Sequence, residues 1–550
     1  MSVNLYEIPI TPVVDLDSDV IVYVPGYAKK GPLEPTLVTA DTFEEIFGDT
    51  PYTFAAGDTT STLAAYNALG RNAPDRGWLY AKGLLDSGLT VLYHRIPDDS
   101  NTAFAETDKV VVISSTYEGD PYNAPTTYEL AFQARFPGSF YSNFSITVGA
   151  LQSGVQKISV YQKDDLGEDH LVQERSVSFD PEDPFFIGKE GLLDDIDILF
   201  YYQGNKVDNV AEAFGLEAIY HPATGTAGSM RLRTPAESVP SSTPVKPTSY
   251  TLELSETITN EFTVSGFLTN LETKLDDLLD TDTYPTVTYI TSGGYYQTEA
   301  LAKKMLETAE AIKAIALIDL SEPVSSLQDV VKNLKPQKLS AYAKGAAFVG
   351  ANTFKIYGQT PSIMADSYGY LTKLGENLSQ AIPAWIPVAN VPQGVTTAVA
   401  TTRPITFATK SILIPSDNRG IAINPIVYKQ SSGYTIMGNR TLANLTGVTG
   451  PDAFLNCQLV VNSVLRSARR AAADLLIVST SPTTAFSTFY SKVSKTCEKM
   501  LVNGDGLAAY NIIKLKKTKP ATIDIQIELT LVEGIETFNI YVPYSIALDA

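Results

Sequence analysis

Apolar runs bounded by turn-forming residues divide the chain into short elements. At the start, VNLYEIPITPVV is β-prone, but Pro9 and Pro12 bar it from a central strand, so residues 1–20 are expected to form an extended arm. DVIVYVPGYAKKGPLEPTLVTADTFEEIFGD then predicts a buried strand over Val20–Val24, a Gly/Pro turn, a short strand over Thr36–Val38 and a short helix from Thr42. Residues 59–70 and 77–86 read as helical, and LTVLYHRI (89–96) reads as a strand.

From about 101 to 233 the pattern turns β-rich. KVVVISSTY, TYELAFQARF, FSITVGAL, VQKISVYQK and HLVQERSVSF are short strands with turn residues between them, a spacing that suits an antiparallel sandwich or barrel. TPAESVPSSTPVKPTSY (234–250), with four prolines and many serines, reads as a linker or long loop. TVTYITS (286–292) is an apolar strand followed by Gly293-Gly294, and TEALAKKMLETAEAIKA spaces Leu301, Met305, Thr308, Ile312 and Ile315 as one helical face. AIALIDL (314–320) is the next strand, so a parallel pair with a right-handed crossover is expected. GAAFVGANTFKIYG (345–358) and a helix around 361–381 continue this layer.

The last 130 residues or so read as another unit. INPIVYKQSSGYTIMGNRTLA (423–443) gives two strands around a turn, and CQLVVNSVLRSARRAAADLL a long helix. Phe486, Phe489, Val493, Cys497, Met500 and Leu501 form the apolar stripe of a further helix, stopped by Asn503-Gly504. IDIQIELTLV (523–532) and TFNIYVPY (537–544) alternate around Glu533-Gly534, the pattern of a β-hairpin.

The chain has 550 residues, which at about 150 per domain suggests three or four domains. Apolar residues make up 44% and charged residues 19%, values that exclude a disordered chain or a coiled coil. No stretch approaches the roughly 18 uninterrupted apolar residues of a membrane span. No basic segment followed by an apolar run opens the sequence, so no secretory signal is expected. Two cysteines, Cys457 and Cys497, supply no disulfide framework and fit synthesis in a reducing compartment.

Charge is unevenly spread. The net charge is −20, which counts against a nucleic-acid surface over the whole protein. Residues 451–550 nevertheless carry a net +1, with 10 Lys+Arg and 9 Asp+Glu, while 151–200 alone carries −8. Either one end faces solvent and the other a partner, or the domains simply differ in composition. Arg466, Arg469 and Arg470 share one helix, Lys492, Lys495 and Lys499 another, and Lys514, Lys516 and Lys517 lead to the last strands. Two readings stand for them: ordinary exposed faces, and a surface that meets acidic partner subunits or a tube.

No catalytic constellation emerges. His94, His170 and His221 lie far apart without ligand-spaced Cys or carboxylates, so structural or surface roles are the default and no metal is expected. No GxxxxGK[ST] occurs. Ser292-Gly293-Gly294, between a strand and a helix, has the outline of a phosphate-cradling turn but lacks the further glycines and the lysine, which favours a plain turn. GTAGS at 225–229 is not a nucleophile elbow, and acid pairs such as Asp164-Asp165 and Asp194-Asp195 read as a solvated face. Cys457 and Cys497 sit on apolar helical stripes and read as core.

Several stretches resemble one family. VYVPGYAKKGPLEPTLVTADTFEEIFGD is similar to the N-terminal signature of contractile phage tail sheath proteins: a strand, Gly26, Lys30-Gly31-Pro32, a strand, and a helix ending Ile46-Phe47-Gly48. LTVLYHRI resembles the family's strand ending in Arg-Val, with Arg95-Ile96 here. ARFPGSFYSNFSITV (134–148) resembles its PG…GN stretch, with Tyr141-Ser142-Asn143 in place of Gly-Asn. PSIMADSYGYL and WIPVANV keep Pro361-Ser362, Asp366 and Ala389-Asn390 of another region, and GYTIMGNRTLA (433–443) resembles the most specific signature. The segment 455–466 departs by lacking an Arg-Arg pair before the helix.

These stretches run in the family's order from about 20 to 545. The resemblance implies a mixed α+β and α/β multidomain chain: a discontinuous α/β sheath core, an inserted β-rich outer domain and extended N- and C-terminal arms. The expected divisions are an arm over 1–20, α/β segments over 21–100 and 256–415, the insertion over 101–255, and a tube-facing domain with a terminal strand arm over 416–550. It implies stacked hexameric rings around a tail tube, contracting without a cofactor or nucleotide hydrolysis. Expected partners are the chain itself, the tail tube protein, and baseplate and tail terminator proteins, with no nucleic acid and no membrane insertion. The expected location is the virion tail, assembled in the host cytoplasm. The sheath of a phage-derived injection machine or bacteriocin is the alternative, with an α/β nucleotide-binding enzyme more remote.

Extended ends suit strand exchange between chains. The residues expected to carry it are Val3, Leu5, Ile8 and Ile10 of the arm, and Ile523, Ile525, Ile527, Leu529, Phe538, Ile540 and Val542 of the last strands.

Overall fold

The computed structural model describes residues 20–28, 30–50, 70–96, 264–319, 364–399, 423–443, 451–475, 482–501, 506–515 and 523–532. It also describes strands and short pieces between 109 and 251 and between 346 and 362. The expected arm over 1–19, most of the expected helix over 59–70 and the strand over 537–544 lie outside the described residues.

The chain opens with β1 (Ile21–Gly26), β2 (Thr36–Val38), α1 (Phe43–Phe47), α2 (Arg76–Asp86) and β3 (Thr90–Arg95). The insertion contains β4 (Lys109–Tyr117), β5 (Thr126–Ala134), β6 (Phe144–Val148), β7 (Gln156–Lys163), β8 (Asp169–Val177), β9 (Ile198–Tyr202), β10 (Leu216–His221), β11 (Thr226–Leu232) and β12 (Thr248–Thr251). Then come α3 (Val264–Lys274), β13 (Tyr289–Ile290), α4 (Glu299–Ile312), β14 (Ile315–Asp319), β15 (Ala346–Val349), β16 (Phe354–Lys355), β17 (Pro361–Ser362) and α5 (Asp366–Ser379). The last unit has β18 (Ile423–Asn424), β19 (Ile426–Lys429), β20 (Gly433–Ile436), α6 (Leu455–Ala473), α7 (Pro482–Leu501), β21 (Leu507–Lys514) and β22 (Ile525–Leu531).

A seven-stranded sheet in the order β18-β15-β14-β13-β1-β3-β2 forms the centre. Every neighbouring pair is parallel except β2 with β3 at the edge. Parallel strands covered on both faces need apolar side chains on both, which is why IVYV shows no alternation and is buried throughout. Ile21, Tyr23, Leu92, Ile290, Ala316 and Ile318 face a core shared with α3 and α4. Val22, Val24, Val91, Tyr289, Ile315 and Leu317 face the opposite core, with α2 and α5. The result is three layers, helix on sheet on helix. α4 starts where Thr298 Oγ1 accepts the Leu301 N–H at 3.1 Å and stops at Lys313, whose φ of 59° is left-handed.

The described strands of the insertion pair antiparallel. Among the described residues it has three antiparallel sheets: β4-β5-β9, β12-β6-β7-β8 and β10-β11. Strands β9 to β12 were not expected from the sequence. β12 corrects the end of the expected linker over 234–250: after its prolines, Thr248 to Thr251 pair with Ser145 to Val148 and close the sheet. The segment over 286–292 is also shorter as a strand than its apolar run, since the chain turns at Thr291 to bond Tyr23 O.

In the last unit, α6 and α7 pack through Val460, Val464, Phe489, Val493, Cys497 and Met500. β22 pairs antiparallel with β21, from Leu507↔Leu531 to Lys514↔Ile525. The expected hairpin of 523–532 with 537–544 across Glu533-Gly534 lies outside the described residues; the described partner of β22 is β21, a strand not expected from the sequence. A register shift between Leu507 and Ala509 interrupts the alternation of LAAYNIIK, and this hides the strand from a period-two search. Along β22, Ile525, Ile527, Leu529 and Leu531 pack on the helical core, while Gln526, Glu528 and Thr530 are exposed.

Candidate functional site

In a doubly wound sheet, ligands bind outside the carboxyl ends of the strands where the winding reverses. Here that point lies between β1 and β13, because β3 flanks β1 on one side and β13 leads to β14 on the other. The crevice is filled by main chain. Gly293 has φ +64°, and a Cβ there would lie 2.0 Å from Pro25 O; one at Gly77 would lie 2.4 Å from the Gly26 Cα. Three backbone segments therefore touch where a phosphate would sit.

The polar groups around the crevice are spent on holding it closed. Arg71 donates from Nε to Gly294 O at 2.8 Å and from Nη2 to Tyr295 O at 2.9 Å. Asp319, at the end of β14, accepts the Ser367 N–H at 2.9 Å and the Ser367 hydroxyl at 2.5 Å. Tyr80 Oη meets the same hydroxyl at 2.8 Å. Burial pushes the Asp319 carboxyl up, against the pull of Arg71. Arg71 and Asp319 were not singled out from the sequence. Arg71 lies in a polar stretch and Asp319 at the end of the apolar run AIALIDL, and nothing local marks the partner of either.

The stretches that resemble the sheath family bond one another. Buried Arg95 donates from Nε to Ala28 O at 3.0 Å and from Nη1 to Gly31 O at 2.7 Å. Tyr23 Oη lies 2.8 Å from His94 Nδ1, and His94 Nε2 lies 3.1 Å from Leu33 O. Since a carbonyl only accepts, Nε2 carries the proton and Nδ1 accepts from the tyrosine. The Asn390 N–H donates to Ile436 O at 2.7 Å, tying WIPVANV to GYTIMGNRTLA. Arg440 and Asn424 exchange hydrogen bonds of 2.7 and 2.9 Å, and Thr441 Oγ1 donates to Asp452 O at 2.6 Å.

The residues proposed for inter-subunit contacts scatter. Val3, Leu5, Ile8, Ile10, Phe538, Ile540 and Val542 lie outside the described residues. Ile523 precedes β22 and is half-buried, and Ile525, Ile527 and Leu529 are half-buried against the helices. The basic residues do not share one face. Arg469 and Lys495 are exposed, with Arg469 Nη1 donating to Ala311 O, and Lys492 pairs with Asp474. Lys514 sits over the Phe486 ring at 5.8 Å, whereas Arg466, Arg470 and Lys499 line a cavity at the foot of the sheet. Lys516 and Lys517 lie outside the described residues. Among the described residues no group of three or more His, Cys, Asp or Glu is arranged to hold a metal, and no helix is long and apolar enough to cross a membrane.

Comparison with solved structures returns tail sheath proteins. The sheath tail protein of Listeria innocua is similar at 10% identity and TM-score 0.49, over 94% of this chain and 95% of that one. That of Desulfitobacterium hafniense is similar at 12% identity and TM-score 0.46, over 97% and 99%. The PVC sheath complex of an extracellular contractile injection system, in its contracted state, is 17% identical over 50% of this chain and 75% of that one, at TM-score 0.38. No protein-family profile and no curated protein matches the sequence.

Proposed function

We propose that this chain is the structural subunit of a contractile tail sheath, polymerising as stacked hexameric rings around a tail tube and driving the tube through a host envelope by contraction. The observation that carries this is the meeting of the sheath-like stretches in space: Arg95 with Gly31, Tyr23 with His94, and Asn390 with Ile436. These stretches, up to 71 positions apart in the chain, bond one another as parts of one shared core would. A crevice closed by Gly293, Gly77 and Arg71 further favours a structural role over nucleotide binding or catalysis.

On this reading the partners are further copies of the chain, the tail tube protein, and baseplate and tail terminator proteins, and the location is a virion tail. The insertion over 101–255 faces outward, and the terminal arms link neighbouring subunits by strand exchange. Energy for contraction comes from new contacts between domains, released from a kinetically trapped extended state. Electron microscopy of the purified chain tests it. Hollow tubes or rings with sixfold symmetry are expected; a strictly monomeric protein across concentration and salt overturns the reading.

A further inference from the structure

A cavity of about 310 Å³ opens at the foot of the central sheet, opposite the closed crevice. Val20, Thr286 and Thr288 line it at the amino ends of β1 and β13, and Leu378, Leu459 and Met500 bring α5, α6 and α7 to its walls. Val20 is also the residue at which the described part of the chain begins. The segment before it therefore leaves the folded core at the wall of this cavity.

Side-chain parity carries the path further. Val20, Val22 and Val24 share one core, and Ile21 and Tyr23 the other. In an extended segment this alternation runs backward, so Ser18 and Leu16 point to the side that Val20 faces, and Asp15, Asp17 and Asp19 to the other. An apolar side chain set between acids in a period-two pattern calls for cover on one face. At about 3.3 Å per residue, Leu16 lies roughly 13 Å from Val20, a span that crosses a cavity of this size, whereas Val14, at roughly 20 Å, passes beyond it.

Charge agrees with this path. Residues 1–19 hold four acids, Glu7, Asp15, Asp17 and Asp19, and no Lys or Arg. Arg466, Arg470 and Lys499 line the cavity, and none of its described lining residues is acidic. None of these cations is without a partner, Arg466 donating to Lys313 O at 2.7 Å. They act on the acid face through their field, not as an empty anion site.

We propose that residues 16–19 seat in this cavity of their own chain, with Leu16 against Leu378, Leu459 and Met500. The seat fixes the root of the N-terminal segment on its own subunit. On the sheath reading, only the residues before it then reach a neighbour. The seat belongs to the dispersed chain, so it stands or falls separately from that reading.

The test is thiol labelling of the dispersed full chain, at concentrations where light scattering shows monomers. Leu16→Cys should react with a maleimide at least tenfold more slowly than Leu5→Cys or Val14→Cys, since only position 16 must first open from a packed state. Cys457 and Cys497 are buried and give a low common background. Ser463 and Ala384 also line the cavity, so Ser463→Phe fills it, and Ala384→Phe replaces that variant if circular dichroism shows it unfolded. Filling should release the segment and bring Leu16→Cys to within about threefold of Leu5→Cys. Equal rates at positions 16 and 5 overturn the proposal. Slow labelling at 16 that a filled cavity does not relieve overturns it too, because Leu16 is then covered elsewhere. Protection that rises with protein concentration assigns the seat to a neighbouring copy and equally overturns it.

Discussion

Arg95, the last residue of β3, donates from Nη1 to the carbonyl of Gly31, 2.7 Å away in space and 64 positions earlier in the chain. The same guanidinium reaches Ala28 O, so one buried side chain fixes the loop between β1 and β2. A Cβ at Gly31, where φ is +103°, would lie 2.5 Å from the Phe47 ring, so α1 is pressed against that loop.

Arg95→Met should therefore destabilise the fold by about 1–3 kcal/mol for each carbonyl left without a donor. Arg95→Lys should recover only part of this, because an ammonium cannot reproduce the planar fork. Urea denaturation measures both. A loss below about 0.5 kcal/mol for Arg95→Met, the range of a neutral surface change, would contradict the role assigned to this residue.

Gly293 and Gly433 both have positive φ, at +64° and +80°, but only Gly293 is crowded. Nothing lies within 4 Å of a Cβ at Gly433, so Gly433→Ala should cost only the left-handed penalty of about 1–2 kcal/mol. Gly293→Ala must also separate β1 from the turn after β13, and should cost more than about 3 kcal/mol or prevent folding. Melting temperatures of the two variants should differ accordingly, and equal losses would refute close contact at the crevice.

How much of this was legible in the sequence depends on range. β1, β2, α2, β3, α4 and α6 follow from local apolar spacing, because each buries a face that its own residues define. The strand β21 that pairs with β22 was missed because strand pairing is a long-range choice and a bulge in β21 masks its alternation. The partners of Arg71, Asp319 and Asn424 carry no local mark: each bonds a main-chain group brought to it by another segment. The basic residues were grouped by helix, yet on α6 Arg466 and Arg470, four apart, line one cavity while Arg469, next to Arg470, is exposed and bonds Ala311 O, because residues four apart share a helix face and sequence neighbours do not.

His94 gives the fold an acid weakness. It is fully buried, and burial first, then Lys274, lowers its imidazole to about 3. Asp277 lies 3.7 Å from Nε2 but is itself paired with Lys274 at 3.3 Å. Below about 6.5 the unfolded chain takes a proton that the folded chain refuses, so stability falls as pH drops from 6.5 toward 3. The loss from this residue is on the order of 4 kcal/mol. His94→Gln should flatten that part of the pH–stability profile, at some cost in stability at neutral pH. An unchanged slope between pH 6.5 and 4 in this variant would show that other groups set the acid limit.

The terminal sheet bears on assembly. Among the described residues β21 and β22 form a two-stranded sheet, and such a pair is marginal without cover. α6 and α7 cover one face through Val460, Phe489 and Val493, which meet Ile525, Ile527 and Leu529. Cover on a face does not satisfy an edge. Among the described residues β21 and β22 pair only with each other, leaving an outer edge on each that can accept a further strand. The β-prone segment over residues 3–12 has the length and composition to supply one from a neighbouring chain. Deleting residues 1–15 should then leave the melting temperature of the dispersed chain within a few degrees of the intact protein while abolishing tubes in electron micrographs. Ile527→Asp, on the covered face, should do the opposite in kind: it lowers stability of the unit by about 2 kcal/mol or more by burying a charge, whatever the assembly state. Full-length tubes from the truncated chain would exclude the arm as the linking strand and direct attention to the residues after Val532.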